Sequence, residues 1–363
     1  MLSTDESIFD RAGAWFLQSG IQQSNGGLAR YYRSDLARYA RVSTEITGYG
    51  VSTLLYLAQR SGDARYREAA GRAANFLTTT AWKPELAAFP FEHSDNCDQP
   101  EPLTFFFDTG IIIRGLLAAW RALGNRQFVD TAEAAGRAMI ADFQRSSTIH
   151  PILHLPGKNP RSYELKWSAS PGCYQLKAAL AWRELWAISG DARFKYAWES
   201  AVEAALRNEA DFLPGQADRE KVMDRLHAYC YFLEALLSCA ADSECAGALR
   251  RGMEKTAVYL KEIAPAFERS DVYAQLLRLR LYAAQQGVAP LDEQAAASEA
   301  AHAHEFFVAS DDSREAGGVA FGRKGSTLLP FVNPVSTSFC IQALAMWDDH
   351  QSANPTADPL SLI

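Results

Sequence analysis

The chain has 363 residues, 48% of them hydrophobic, with 36 basic against 43 acidic side chains and a net charge of −7, enough apolar mass for one large core. No Lys- or Arg-rich block interrupts that acidic balance, which excludes nucleic acid and anionic membrane as partners. The opening residues lack a basic segment followed by a long apolar one, and no later run is long enough to span a membrane, so the expected location is cytoplasmic.

Taken in chain order, amphipathic helical runs are expected to begin near Ser7, Asp63, Asn125, Asp191, Asp242 and Asp292. Between them lie runs that are apolar almost all round, beginning near Glu45, Asp108, Pro171, His227, Asp271 and Asn333. The first kind should face solvent on one side and the second should be enclosed. A phrase repeated three times marks the joints: SGDARY from Ser61, LGNRQF from Leu123 and SGDARF from Ser189. Each copy reads as a Gly helix stop, an Asp or Asn N-cap and an aromatic in the following first turn. Helical hairpins repeated in this way bury their faces only by stacking on neighbours. Six outer and six inner helices in alternation predict an all-α fold, an (α/α)6 toroid. Closure is preferred to an open solenoid because the last helical run, TSFCIQALAMW from Thr337, is as apolar as the middle ones. The expected organisation is one domain over residues 1–350 and a loose tail over 351–363. Six scattered cysteines (Cys97, Cys173, Cys230, Cys239, Cys245, Cys340) suit reduced core thiols, with no bridge expected between Cys239 and Cys245.

The connections leading into the enclosed helices are long (22–44, 80–106, 146–170, 308–333) and rich in aromatics, a combination that points to functional loops. Polar residues cluster where these loops enter the helices: Glu45, Asp108, Tyr174, His227 with Tyr229 and Tyr231, Asp271 with Tyr273, and Asn333. Each acid alone is explained as a first-turn charge or cap. Glu45 and Asp108 together are harder to explain so, because both stand among apolar neighbours at equivalent places in adjacent repeats. Two carboxyls flanking a sugar bond are the minimum set for glycoside hydrolysis. His227 lies one turn from Asp224 and one from Tyr231, a face suited either to a proton relay or to a locally satisfied buried histidine. Glu164, Lys166 and Trp167 on one loop, and Glu92 with His93 on another, combine charge with a ring surface for a sugar. A zinc site from Cys173, His227 and Cys230 ranks below core cysteines, since no close-spaced metal motif supports it; no cofactor or metal is expected.

The repeat phrase, together with EITGYG, FDTGIIIRGLLAAWRALGN and HAYCYFLEALL, resembles the six-hairpin glycosidase-like superfamily over residues 26–347. Within it the chain is most similar to a poorly characterised bacterial group associated with polysaccharide loci, with a looser likeness to uronate epimerases and unsaturated glucuronyl hydrolases. The resemblance implies an (α/α)6 barrel, an oligosaccharide or polysaccharide ligand, and Asp108 as the leading catalytic candidate.

Three functions follow from these readings. The first is a glycoside hydrolase in which Asp108 and Glu45 share acid/base work and His227 and Tyr231 orient the sugar. Its substrate-binding set is Tyr31, Arg30, Glu92, His93, Lys166, Trp167, Tyr174, Tyr229, Asp271 and Asn333, with Trp167 and Tyr31 as a stacking wall. The second is a uronic-acid lyase or epimerase, with Tyr229, Tyr231 or His227 abstracting a proton and Arg30, Arg114 or Lys166 neutralising the acid. The third is a non-catalytic glycan-binding or scaffold protein, which predicts carboxyls that titrate normally, whereas an enzyme predicts at least one that does not.

Overall fold

A computed structural model describes residues 8–93, 102–145, 148–213, 219–264, 266–353 and 362–363. Cys97 lies outside the described residues, as do residues 354–361 of the tail. Among the described residues there are twelve α-helices: α1 (Ile8–Gln18), α2 (Thr44–Ser61), α3 (Ala64–Phe76), α4 (Phe106–Leu123), α5 (Arg126–Ala138), α6 (Gln175–Ser189), α7 (Ala192–Asn208), α8 (Arg219–Leu236), α9 (Ser243–Ile263), α10 (Ser270–Gln285), α11 (Glu293–His304) and α12 (Pro334–Gln351). They fall into two compact units, one made of Gln22–Arg30 and Arg41–Phe212, the other of Met1–Ile21, Tyr31–Ala40 and Leu213–Ile363.

In the unit holding α2 to α7, the repeat phrase does what its residues dictate. Gly62, Gly124 and Gly190 close α2, α4 and α6 at φ of 73°, 74° and 71°, a conformation that costs a residue with a Cβ. Asp63, Asn125 and Asp191 then cap α3, α5 and α7 by accepting from the backbone N–H two residues on. The aromatics that follow, Tyr66, Phe128 and Phe194, are buried, each worth about 1.5–3 kcal/mol of transfer free energy. α4 is buried around most of its circumference, while α3, α5 and α7 bury one face. The inner helices approach backbone to backbone. A Cβ on Gly115 of α4 would lie 2.6 Å from the Gly48 carbonyl oxygen of α2, and one on Gly110 would lie 2.4 Å from the Ala178 carbonyl oxygen of α6.

The long connections contain short strands that the sequence reading left as loops. Leu103–Phe105 pairs antiparallel with Ile152–His154, which pairs with Asn159–Pro160, and the first of these strands runs straight into α4. Thr44 Oγ1 donates to Pro90 O at 2.8 Å and the Leu28 backbone N–H donates to Thr47 Oγ1 at 2.9 Å, tying two more connections to the start of α2.

In the unit holding α1 and α8 to α12, strands again lead into helices: Phe267–Arg269, paired with Gly322–Lys324, enters α10, and Phe331–Val332, paired with Tyr32–Arg33, precedes α12. The Asn333 side chain caps α12, and Pro334 opens it. One helix start departs from expectation. α8 begins at Arg219, so His227 stands at mid-helix and not at a helix entrance. Arg278 and Glu234 form an ion pair with both side chains fully buried. The expected loose tail does not extend to its last two residues: Leu362 and Ile363 are buried, and the Ile363 backbone N–H donates to Gln342 Oε1 at 3.1 Å.

Candidate active site

Close approach of α2 and α4 at Gly48 and Gly115 brings their first turns side by side, and with them Glu45, the second residue of α2, and Asp108, the third of α4. Asp108 is buried, and its Oδ2 is sealed from solvent without a hydrogen-bond partner. Burial pushes its carboxyl well above the usual range, and the negative charge of Glu45 pushes it further, against the pull of Arg30. Glu45 is half-buried; desolvation lifts it to about 7, again opposed by Arg30. Removal from water therefore outweighs the helix dipole, which alone would favour ionised first-turn acids. At pH 7 Glu45 is close to half-protonated, and Asp108 is displaced toward its neutral form.

Other expected residues of this unit gather around the pair. Arg30 lies over the Phe91 ring, 5.2 Å from its centroid, and 3.7 Å from Glu92, which also accepts from Arg41 at 3.3 Å. Phe91 in turn packs on Phe105 at 4.8 Å, immediately before α4. His93 packs edge-on against Phe76 at 5.4 Å, turned to α3. Tyr174 is buried, feels the charge of Asp108, and is raised by desolvation first and by that charge second. Its hydroxyl donates to Ser170 O at 3.2 Å, and Trp167 sits edge-on against its ring at 5.0 Å. Trp167 thus reaches the neighbourhood of Asp108 through Tyr174. Lys166 beside it is exposed, and Glu164 is held by Arg161 at 2.5 Å. Arg114 is not a carboxylate receptor: it pairs with Glu184 of α6 at 2.8 Å, and Glu184 also binds Arg121 at 2.9 Å.

The other unit holds a second polar cluster. His227 Nδ1 lies 2.9 Å from Gln275 Oε1 and 3.2 Å from Asp271 Oδ2. Arg269 grips both oxygens of Asp271, at 3.0 and 2.7 Å, and reaches Asp224 at 3.1 Å. The relay expected between Asp224 and His227 is replaced by this arrangement, in which Arg269 takes up Asp224. Burial would raise the Asp271 carboxyl, but Arg269 and His227 outweigh it and the net effect is downward. Burial pulls His227 down to about 4, so its ring is neutral at pH 7. Tyr231 stands edge-on to the imidazole at 4.4 Å.

Two expected ligand contacts in this unit, Tyr229 and Asn333, have structural roles instead. Tyr229 is fully buried between α8 and α9, with its hydroxyl beside Gly252 and its ring beneath Lys255 Nζ at 5.5 Å. Asn333 Oδ1 is engaged by the Val335 and Ser336 backbone N–H groups at 2.8 and 3.2 Å. Tyr31, half-buried, packs edge-on against Phe331 at 5.2 Å. Among the described residues no group of three His, Cys, Asp or Glu side chains is placed to hold a metal. Burial raises the Cys230 thiol, which bonds to Thr256 of α9. No helix of the described residues is long and apolar enough to cross a membrane.

Arg269 and Gln275 were missed in the sequence. Both flank Asp271 in the run RSDVYAQ, at two residues and one helical turn, a proximity that was available as a signal.

No protein-family model and no curated protein sequence matches the chain. Solved structures do. The chain superposes on cellobiose 2-epimerase from Spirochaeta thermophila DSM 6192 with a TM-score of 0.70 at 13% identity, covering 93% of this chain and 94% of that one. It superposes on a sugar epimerase from a ruminal bacterium with a TM-score of 0.69 at 11% identity, covering 93% and 96%. A third match is the unsaturated glucuronyl hydrolase from Bacillus sp. GL1, with a TM-score of 0.65 at 13% identity, covering 94% and 97%. The chain has the six-hairpin (α/α)6 fold. At these identities the likeness establishes the fold and leaves the reaction to the residues. In the unit that holds α2 to α7, the enclosed helices are α2, α4 and α6, and the carboxyl pair stands at the start of the first two.

Proposed function

We propose that the protein is a glycoside hydrolase acting on an oligosaccharide or polysaccharide, with Asp108 as general acid and Glu45 as its partner base. The observation that carries this reading is the Asp108 carboxyl, whose Oδ2 is buried without a partner beside a second carboxyl. Burial and the neighbouring charge displace such a group toward its protonated form, and a glycosidic oxygen is a suitable acceptor for the proton. In the reaction Asp108 gives its proton to the leaving oxygen as the anomeric C–O bond breaks. Glu45, raised to about 7, takes a proton from the water whose oxygen bonds to the anomeric carbon. Net consumption is one water, and proton exchange between the two carboxyls resets the pair. Arg30 limits how far both are raised, and Trp167, half-buried and seated edge-on against the Tyr174 ring, offers a ring surface to the sugar. Two raised carboxyls also count against a purely sugar-binding protein. The titles of the matched structures name sugar-processing enzymes, in keeping with a carbohydrate ligand.

A second reading, sugar epimerisation, is favoured by one observation: His227 is anchored through Nδ1 and leaves Nε2 as a base. A group pulled down to about 4 is a weak base, so hydrolysis is preferred. The deciding experiment incubates wild type, Asp108→Asn and Glu45→Gln with saturated and unsaturated oligosaccharides in deuterated water. New reducing ends, reduced about 10²–10⁴-fold in both variants, are expected. Deuterium entering the sugar without chain cleavage would overturn the hydrolase in favour of the epimerase.

A further inference from the structure

Arg30 and Glu92 are carried to the carboxyl pair on a frame of backbone hydrogen bonds. The Leu28 carbonyl accepts from the Ser43 N–H at 3.1 Å, and the Leu28 N–H donates to Thr47 Oγ1 at 2.9 Å. The stretch that ends in Arg30 therefore lies along the first turn of α2, where Glu45 stands. Next to it, the Arg30 N–H donates to Arg41 O at 3.0 Å, and the His93 N–H donates to Val42 O at 3.1 Å. These bonds set Glu92 opposite Ser43, the N-cap of α2. The backbone is tied down, but the side chains keep contact with water: that of Arg30 is 43% exposed and that of Glu92 20%.

Glu92 divides its oxygens between two guanidiniums, Oε1 lying 3.7 Å from Arg30 Nη1 and Oε2 3.3 Å from Arg41 Nη1. Phe91 adds its ring to Arg30 at 5.2 Å. Among the described residues Arg30 forms no ion pair with Glu45 or Asp108, although its charge acts on both. A half-exposed arginine beside a half-buried carboxyl would ordinarily close on it, and such a pair lowers the carboxyl by about 1–3 pH units. Here an ion pair and a cation–π contact compete for the same guanidinium. Glu45 closed on by Arg30 would be a weak base; at about 7 it is matched to work near neutral pH.

We propose that Glu92 is a positioning residue, which holds the Arg30 guanidinium off Glu45 and so leaves that carboxyl able to serve as the base. Glu92 acts through Arg30 and needs no contact with the sugar. The groups that bear on the pair are Arg30 and, at the entrance to α6, Tyr174 with Cys173 beside it; burial and Asp108 raise the Tyr174 hydroxyl, which stays neutral in the range tested. Asp108 feels Arg30 and Glu45 in opposite senses, so the readout is the limb set by Glu45.

The test compares wild type, Glu92→Gln, Arg30→Met and the double variant in two ways: kcat/KM against pH on a cleaved oligosaccharide, and melting temperature at pH 6.5 and 8. The kinetic arm rests on the hydrolase reading; the melting arm does not. In Glu92→Gln the acidic limb should move down by about one pH unit, with kcat/KM at the optimum lowered about three- to tenfold. The fall in melting temperature from pH 6.5 to 8 should shrink, because a lowered Glu45 has less stability to lose across that range, whereas loss of an ion pair by itself shifts both temperatures together. In the Arg30→Met background, adding Glu92→Gln should move neither quantity. Should Glu92→Gln fail to fold, Glu92→Asp replaces it, since it keeps the charge and draws it back by one methylene; the same downward move is expected. An unmoved limb with an unchanged melting difference would overturn the proposal, and so would an equal shift in the Arg30→Met background, which would show Glu92 acting by its own charge. A wild type that cleaves no oligosaccharide would remove the hydrolase reading and leave the melting comparison to decide whether Glu92 restrains Arg30.

Discussion

Asp108 and Glu45 occupy helix first turns, where peptide dipoles favour negative charge, yet both are displaced toward the neutral form because desolvation dominates. Among the described residues Arg30 is the cation that acts on both, and in each case it works against the raise. Replacing it with Met should therefore lift both carboxyls. The alkaline limb of activity, where the acid must hold its proton, and the acidic limb, where the base must lose one, should both move to higher pH. kcat/KM at the optimum should change by about tenfold or less; a profile of kcat/KM against pH with unmoved limbs would show that Arg30 serves only Glu92 and Phe91. At this scale the two acids were legible because an Asp between FFF and TGIII has no reason of its own to be there. The role of Arg114 was not, because its partner Glu184 lies on another helix and only packing decides between it and a ligand. Tyr229 failed for a similar reason: residues 227, 229 and 231 share one helix, but the 229 position turns to α9 while the other two do not.

The helices were legible because their punctuation is local. A Gly at positive φ, an Asp two residues before the N–H that it binds, and an aromatic one turn later are all written within six residues. The short strands were not, since a pair such as Phe105 with Ile152 depends on a partner more than forty residues away, and a two- or three-residue strand carries no period to read. Glycines inside the helices show how elements set the site. Gly115 has no room for a methyl group against the Gly48 carbonyl, so Gly115→Ala must spread α2 from α4. It should cost about 1–3 kcal/mol and lower kcat by separating Glu45 from Asp108. Gly71, on the outer helix α3, has only Leu123 Cδ1 at 3.7 Å, so Gly71→Ala should be neutral or stabilise by about 0.5–1 kcal/mol with kcat unchanged. Denaturant melts and initial rates on the two variants check the contrast, and equal losses in both would show that inner-helix spacing does not govern the pair.

For the molecule as a whole, these carboxyls make stability run against pH. Glu45 and Glu299 are both raised to about 7, chiefly by burial, and Asp108 is raised well above its ordinary value for the same reason. A carboxyl with a raised folded pKa binds more proton in the folded state, so its stabilising contribution is complete below the unfolded value and is lost as pH climbs through the folded one. His227 works in the opposite sense: pulled down to about 4, it stabilises the folded state above its ordinary value of 6.5 and loses that contribution as pH falls. Between about pH 4.5 and 6.5 the two effects oppose each other. Above about pH 6.5 only the carboxyls remain, and on a chain already at −7 each lost proton adds to self-repulsion. The melting temperature should therefore decline from pH 6.5 to 8. The double variant Glu45→Gln, Asp108→Asn supplies neutral groups of the same shape. At pH 8 it should melt about 2–6 °C higher than wild type, with a flatter pH dependence and no activity, because the groups that cost stability are those proposed to move the proton. A wild-type melting temperature that rises from pH 6.5 to 8, or a double variant with the wild-type slope, would mean that the pair is ionised and solvated in the folded protein, and the acid proposed for the reaction would be lost with it.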